Sequence, residues 1–172
     1  MKFLYSLTLS ILLLIIFPFA SQAQDVDPNS KHVSLKVNDA SWQPNMTRGE
    51  YLFDKNQSAE RVSISMFKVE GTKIANVTFK IVRFEGNGEY KVGERFNLIG
   101  AYNERSGAEA GPTYSIVEES GMVEITAYDA KALTISGKFS FQLKDKNSDN
   151  VIRVTNGKFK GIQLIDVTPE DK

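Results

Sequence analysis

LTISGKFSFQLK, residues 133–144, decides the fold class. Leu133, Ile135, Gly137, Phe139, Phe141 and Leu143 occupy one phase of a two-residue period, and Thr134, Ser136, Lys138, Ser140, Gln142 and Lys144 occupy the other. Successive side chains of a strand point to opposite faces, so the segment describes a strand with one buried and one wet face. Gly137 interrupts the apolar phase and marks a bulge or bend, where a strand can turn from one sheet toward another. The same period continues outward. Val33/Leu35/Val37, Val62/Ile64/Met66, Ala75/Val77/Phe79/Ile81 and Val123/Ile125/Ala127 alternate with polar neighbours. After residue 23 no window of a dozen residues keeps apolar groups at helical spacing. Turn pairs separate the runs: Asn38-Asp39, Glu70-Gly71, Asn87-Gly88, Ser120-Gly121, Asp129-Ala130 and Asn156-Gly157. The pattern predicts an all-β, antiparallel fold, a two-sheet β-sandwich of roughly nine to eleven strands. A lipocalin-like β-barrel is the alternative, because one alternating face buries equally well against a second sheet or inside a closed barrel.

The chain ends read differently. Lys2, the apolar run Phe3–Phe17 and Ser21-Gln22-Ala23 have the order of a secretory signal peptide over residues 1–23, and the run is short for a membrane span. Residues 24–32 are polar, hold Pro28 and predict a flexible arm; 33–166 form a single β-domain and 167–172 a polar tail. Cysteine is absent. That excludes a disulfide framework, a thiolate nucleophile and lipid attachment after the cleavage point, and it predicts an exported, periplasmic or extracellular protein that is not lipid-anchored. The 21 basic residues balance the 21 acidic ones, and loss of Lys2 leaves one net negative charge. With no basic stripe or polybasic segment, neither nucleic acid nor an anionic membrane is an expected partner, and no membrane insertion follows signal cleavage.

Three segments carry a resemblance across about Val33 to Leu164: GMVEIT (121–126), SGKFSF (136–141) and TNGKF (155–159), together with VSLKVNDASWQP and GEYKVGERFNLIGAY nearer the N-terminus. The chain resembles an uncharacterised Bacteroidota family of small exported or lipid-anchored all-β proteins, a domain of unknown function of the DUF6252 kind. The resemblance implies an exported β-domain and no activity. The family's lipid-attachment cysteine is missing here.

His32 is the only histidine and sits at the edge of the arm, which suits neither a catalytic relay nor a histidine metal site. Glu50, Glu85, Glu89, Glu94, Glu118, Glu119, Glu124 and Asp129 provide carboxylates, but no spacing singles out a hydrolytic pair. Asp145, Asn147 and Asp149 stand at the opening spacing of a calcium loop, making DKNSDN a candidate for weak calcium binding; its sixth position is Asn150 where such loops want glycine, so a polar hairpin loop is the competing reading. Residues 103–112 (NERSGAEAGP) form the longest irregular segment, flanked by Tyr102 and Tyr114 and carrying Arg105. Tyrosines at a loop base offer flat apolar contact with a hydrogen-bonding tip. Trp42, the sole tryptophan, follows a turn near the domain start and either plugs the core or lines a pocket. Tyr102, Arg105, Tyr114 and Trp42 are therefore the candidate ligand-binding residues, with no catalytic residue and no cofactor. The expected function is an exported non-catalytic β-domain binding a glycan, peptide or envelope protein; a barrel carrying a small apolar ligand is the alternative, and a hydrolase ranks third.

Overall fold

The computed structural model describes residues 27–92 and 98–170. The expected signal peptide and residues 24–26 of the expected arm lie outside the described residues. Among the described residues a 3-10 helix, Pro28–His32, precedes eleven strands: β1 (Val33–Val37), β2 (Ala40–Trp42), β3 (Met46–Asp54), β4 (Ala59–Glu70), β5 (Lys73–Phe84), β6 (Gly88–Lys91), β7 (Leu98–Ser106), β8 (Glu109–Ile116), β9 (Met122–Asp129), β10 (Thr134–Asp145) and β11 (Val151–Asp166). The fold is all-β, as the two-residue period predicts.

All eleven strands share one hydrogen-bonded sheet, in the order β2-β1-β11-β3-β4-β5-β7-β8-β10-β9-β6, with a further pairing of β10 with β11. The two separate ladders expected of a sandwich are therefore linked. β10 and β11 are the reason: each is long enough to serve different partners along its length. β10 pairs with β9 through Thr134–Ser140 and with β8 through Leu143–Asp145. β11 pairs with β1 near Val154–Phe159 and with β3 near Leu164–Asp166. Because β10 and β11 also pair with each other, the hydrogen bonds run β11-β3-β4-β5-β7-β8-β10 and return to β11. The antiparallel expectation fails at one place, the parallel β3–β11 pair.

Register carries the inner face around this circuit. Ile64 lies opposite Phe79, Phe79 opposite Gly100, and Val62 opposite Ile81, which faces Leu98. Phe79, Phe139, Phe141 and Phe159 meet at the centre, with Phe79 and Phe139 centroids 5.2 Å apart and Phe139 and Phe141 5.7 Å apart. These rings are buried, so the apolar phase read from 133–144 is the core phase. Gly137 sits at the expected bulge: the register slips beside it on both neighbouring strands. A Cβ there would strike the Glu124 carbonyl oxygen and come within 2.6 Å of the Phe159 ring.

Two local expectations need correction. Asn156-Gly157 is not a turn but lies within β11, where Asn156 takes a left-handed φ of 53° and the β10 register slips opposite it. One left-handed residue inserted into a continuing ladder makes a bulge, while a hairpin turn needs its strands to end. The flexible arm is also overturned over Pro28–His32. Asp27 caps Asn29 N–H at 2.8 Å, and the buried Ser30 hydroxyl donates to Thr47 Oγ1 at 3.0 Å. The Ser30 bond docks the helix against β3. Exposed His32 closes the helix. Beyond β11 the tail holds on for two more residues, with Val167 N–H donating to Tyr51 O and Thr168 Oγ1 accepting from Phe53 N–H, both at 2.9 Å.

Candidate functional site

The segment 103–112, expected as an irregular loop, is the tip of a β-hairpin. Ser106 pairs with Glu109 around the two-residue turn Gly107-Ala108. Gly107 has φ 60°, the value a type II′ turn requires at its first central position and glycine supplies without strain. The β4–β5 hairpin closes identically: Glu70 pairs with Lys73 around Gly71-Thr72, and Gly71 also has φ 60°. The two turns lie side by side, with Gly107 N–H donating to Thr72 O at 2.9 Å. Four strand ends thus project together as one platform.

Register defines what the platform presents inward. Met66, Val77, Tyr102 and Tyr114 form the last apolar row of the core. The next row holds Lys68, Ala75 and Glu104, and the outermost Glu70, Lys73, Ser106 and Glu109. Two residues further along each strand, the inner face therefore changes from core to charge. The two outer rows, with Tyr102, Trp42 and the rim residue Arg105, line a cavity of about 550 Å³ open to solvent.

Three of the four ligand-binding candidates line this cavity: Trp42, Tyr102 and Arg105. Tyr114 stands behind, its ring edge-on to Tyr102 at 5.8 Å. Trp42 belongs to both alternatives considered for it, being part of the core cluster and part of the lining. The aromatic floor is tightly held: Tyr102 is 4 % exposed, Trp42 7 % and Tyr114 9 %. Tyr102 donates its hydroxyl proton to Glu104 Oε1. Lys68 pairs with Glu70 at 2.9 Å, whereas Lys73, Arg105 and Glu109 make no ion pair among the described residues. Sequence reasoning missed Lys68, Glu70 and Lys73 because they lie in a different hairpin. The signal that would have found them is the repeated Gly-X turn, which aligns residues 68–75 with 104–111.

The other candidates do not converge with this cleft. In DKNSDN, Asp145 Oδ1 accepts from Asn147 N–H at 3.1 Å and Oδ2 from the Ser148 hydroxyl at 2.7 Å, while Asp149 pairs with Lys144 at 2.7 Å. The Ser148 and Asn147 bonds hold the Asp145 carboxyl below the usual range, and Lys144 does the same for Asp149. These are the bonds of a polar hairpin loop linking β10 to β11. Among the carboxylates, Glu50 pairs with Arg48 at 2.7 Å and Glu124 with Lys138 at 3.4 Å, and Asp129 caps the N–H groups of Lys131 and Ala132. Glu94 lies outside the described residues. No group of three or more His, Asp or Glu residues suited to a metal ion occurs among the described residues.

Tyrosines guard both ends of the core, and their titration is testable. Burial first, then the Glu60 carboxylate, raises Tyr51 to about 12. Burial also raises Tyr90, Tyr102 and Tyr128, with Glu104 adding to the effect at Tyr102. A tyrosine whose pKa is raised on folding contributes stability that is complete below its unfolded value near 10. That stability is lost as pH climbs through the folded value. Tyrosinate absorbance and circular dichroism should therefore change together between about pH 10 and 12. Full tyrosinate formation by pH 10.5 with the far-ultraviolet signal intact would contradict this burial.

Residues 29–163 match the family model for a domain of unknown function, DUF6252. No curated protein and no solved structure gives a significant match. The matched stretch spans β1 to β10 and most of β11, both twin hairpins and every residue named in the cleft, so the chain belongs to the DUF6252 family.

Proposed function

We propose that this protein is exported by its N-terminal signal and acts as a non-catalytic binding domain outside the cytoplasm. Its site is the cleft between the twin hairpins and Trp42, and its ligand is a glycan, a peptide or a segment of an envelope protein. The observation that carries this reading is the convergence of Trp42, Tyr102 and Arg105, distant in sequence, on one open cavity of about 550 Å³. A cleft of that size with aromatic floor and polar rim suits a small polar ligand. The rigid scaffold beneath it suits recognition without rearrangement. Carriage of an apolar ligand inside the fold has less support, because phenylalanine rings fill the centre. No helix among the described residues is long and apolar enough to cross a membrane.

The test is a screen of immobilised oligosaccharides and short peptides with the chain from Gln24 onward. Ala75, half-buried in the second row, gives the control. Ala75→Trp should fill the cleft and reduce capture of any hit at least tenfold. Hits indifferent to Ala75→Trp, or no hit in either class, would overturn the assignment.

A further inference from the structure

The cleft has a wall that ordinary pockets lack, an open strand edge. β10 pairs with β8 only at Tyr114, Ser115 and Ile116. From Glu109 to Thr113, β8 has β7 on one side and no strand on the other among the described residues. All five residues are exposed, and Glu109, Ala110, Gly111 and Pro112 line the cavity. The closing pair of a two-residue hairpin, here Ser106 and Glu109, exchanges its backbone hydrogen bonds, so alternation turns the N–H and C=O of Ala110 toward the open side. Ala110 and Gly111 carry no bulk to shield that edge. Proteins guard such edges against unwanted pairing, and Pro112 limits this one to a short stretch.

Resting on the binding role above, we infer that the cleft takes an extended peptide, which adds as a strand to β8 at residues 109–113. Two observations favour a peptide over a sugar. Unpaired backbone donors and acceptors are complemented by another extended backbone, the basis of strand-addition recognition. The aromatic floor, by contrast, is less than a tenth exposed and its Tyr102 hydroxyl is committed to Glu104, so no open ring face awaits a pyranose. The charged lining is balanced in sign, Lys68, Lys73 and Arg105 against Glu70, Glu104 and Glu109, so recognition rests on the backbone edge.

The probe is a synthetic library of hexapeptides with free C-termini, selected on the chain from Gln24 onward. Trp42 is the only tryptophan, so its fluorescence reports occupancy of the cleft. Selected peptides should change Trp42 emission and slow hydrogen exchange at Ala110 N–H at least tenfold. They should lose at least tenfold in affinity when alternate amides are N-methylated. N-methylation leaves the protein untouched, so folding cannot confound that arm. Peptides that move Trp42 emission but leave Ala110 exchange and N-methyl sensitivity unchanged would overturn strand addition. Oligosaccharides that move Trp42 emission where the library yields no binder would overturn the peptide and keep the cleft. Silence from both probes would overturn both.

Discussion

Phe139→Ala will destabilise the fold by about 3–5 kcal/mol, the loss typical of a phenylalanine removed from a packed core. The ring is 3 % exposed and touches three others, with centroids at 5.2 Å from Phe79, 5.7 Å from Phe141 and 6.2 Å from Phe159. Those neighbours are held by three strands of the circuit, β5, β10 and β11, so they cannot collapse freely into the space left behind. Urea unfolding with an unchanged slope and a lowered midpoint is the measurement. A loss under about 1 kcal/mol would mean that the ring faces solvent and that the phase of β10 is reversed.

Gly157→Ala is the companion substitution, and its cost should depend on Phe139. A Cβ at 157 would lie 2.6 Å from three atoms of the Phe139 ring. Overfilling a tight core contact costs about 1–3 kcal/mol. With Phe139 already truncated to alanine, the obstructing ring is gone, and the added methyl enters the cavity instead. The double variant should then lose less than the sum of the two single losses, by at least about 0.5 kcal/mol, the threshold for residues in direct contact. Strict additivity would show that residue 157 is glycine for some reason other than the ring.

These two residues also show how far the sequence could be read. The two-residue period of 133–144 identified Phe139, Phe141 and the bulge at Gly137, since strand geometry and burial leave a direct trace in residue order. Closure of the circuit left none. It depends on β3 meeting β11, with Gly49 beside Leu164, and the pairing of such distant segments has no local signature. Nor did Asn156-Gly157 distinguish a bulge from a turn, since both use a left-handed residue. The cleft was half legible. Tyr102, Arg105 and Trp42 stood out by type, but the hairpin holding the first two looked like a loop. Its inner positions lie past the core and are Glu104, Ser106 and Glu109, so the apolar alternation that betrays a strand stops at Tyr102.

The meeting of β11 with β1 and β3 has a kinetic consequence. Val33 finds its neighbour at Phe159 and Gly49 at Leu164, so the first strands complete their pairing only after the last has been synthesised. Contacts between such remote segments incur their loop-closure entropy before any stabilisation is gained, which slows collapse to the native state. A growing chain of this design stays open until β11 arrives, a delay that suits the export proposed above.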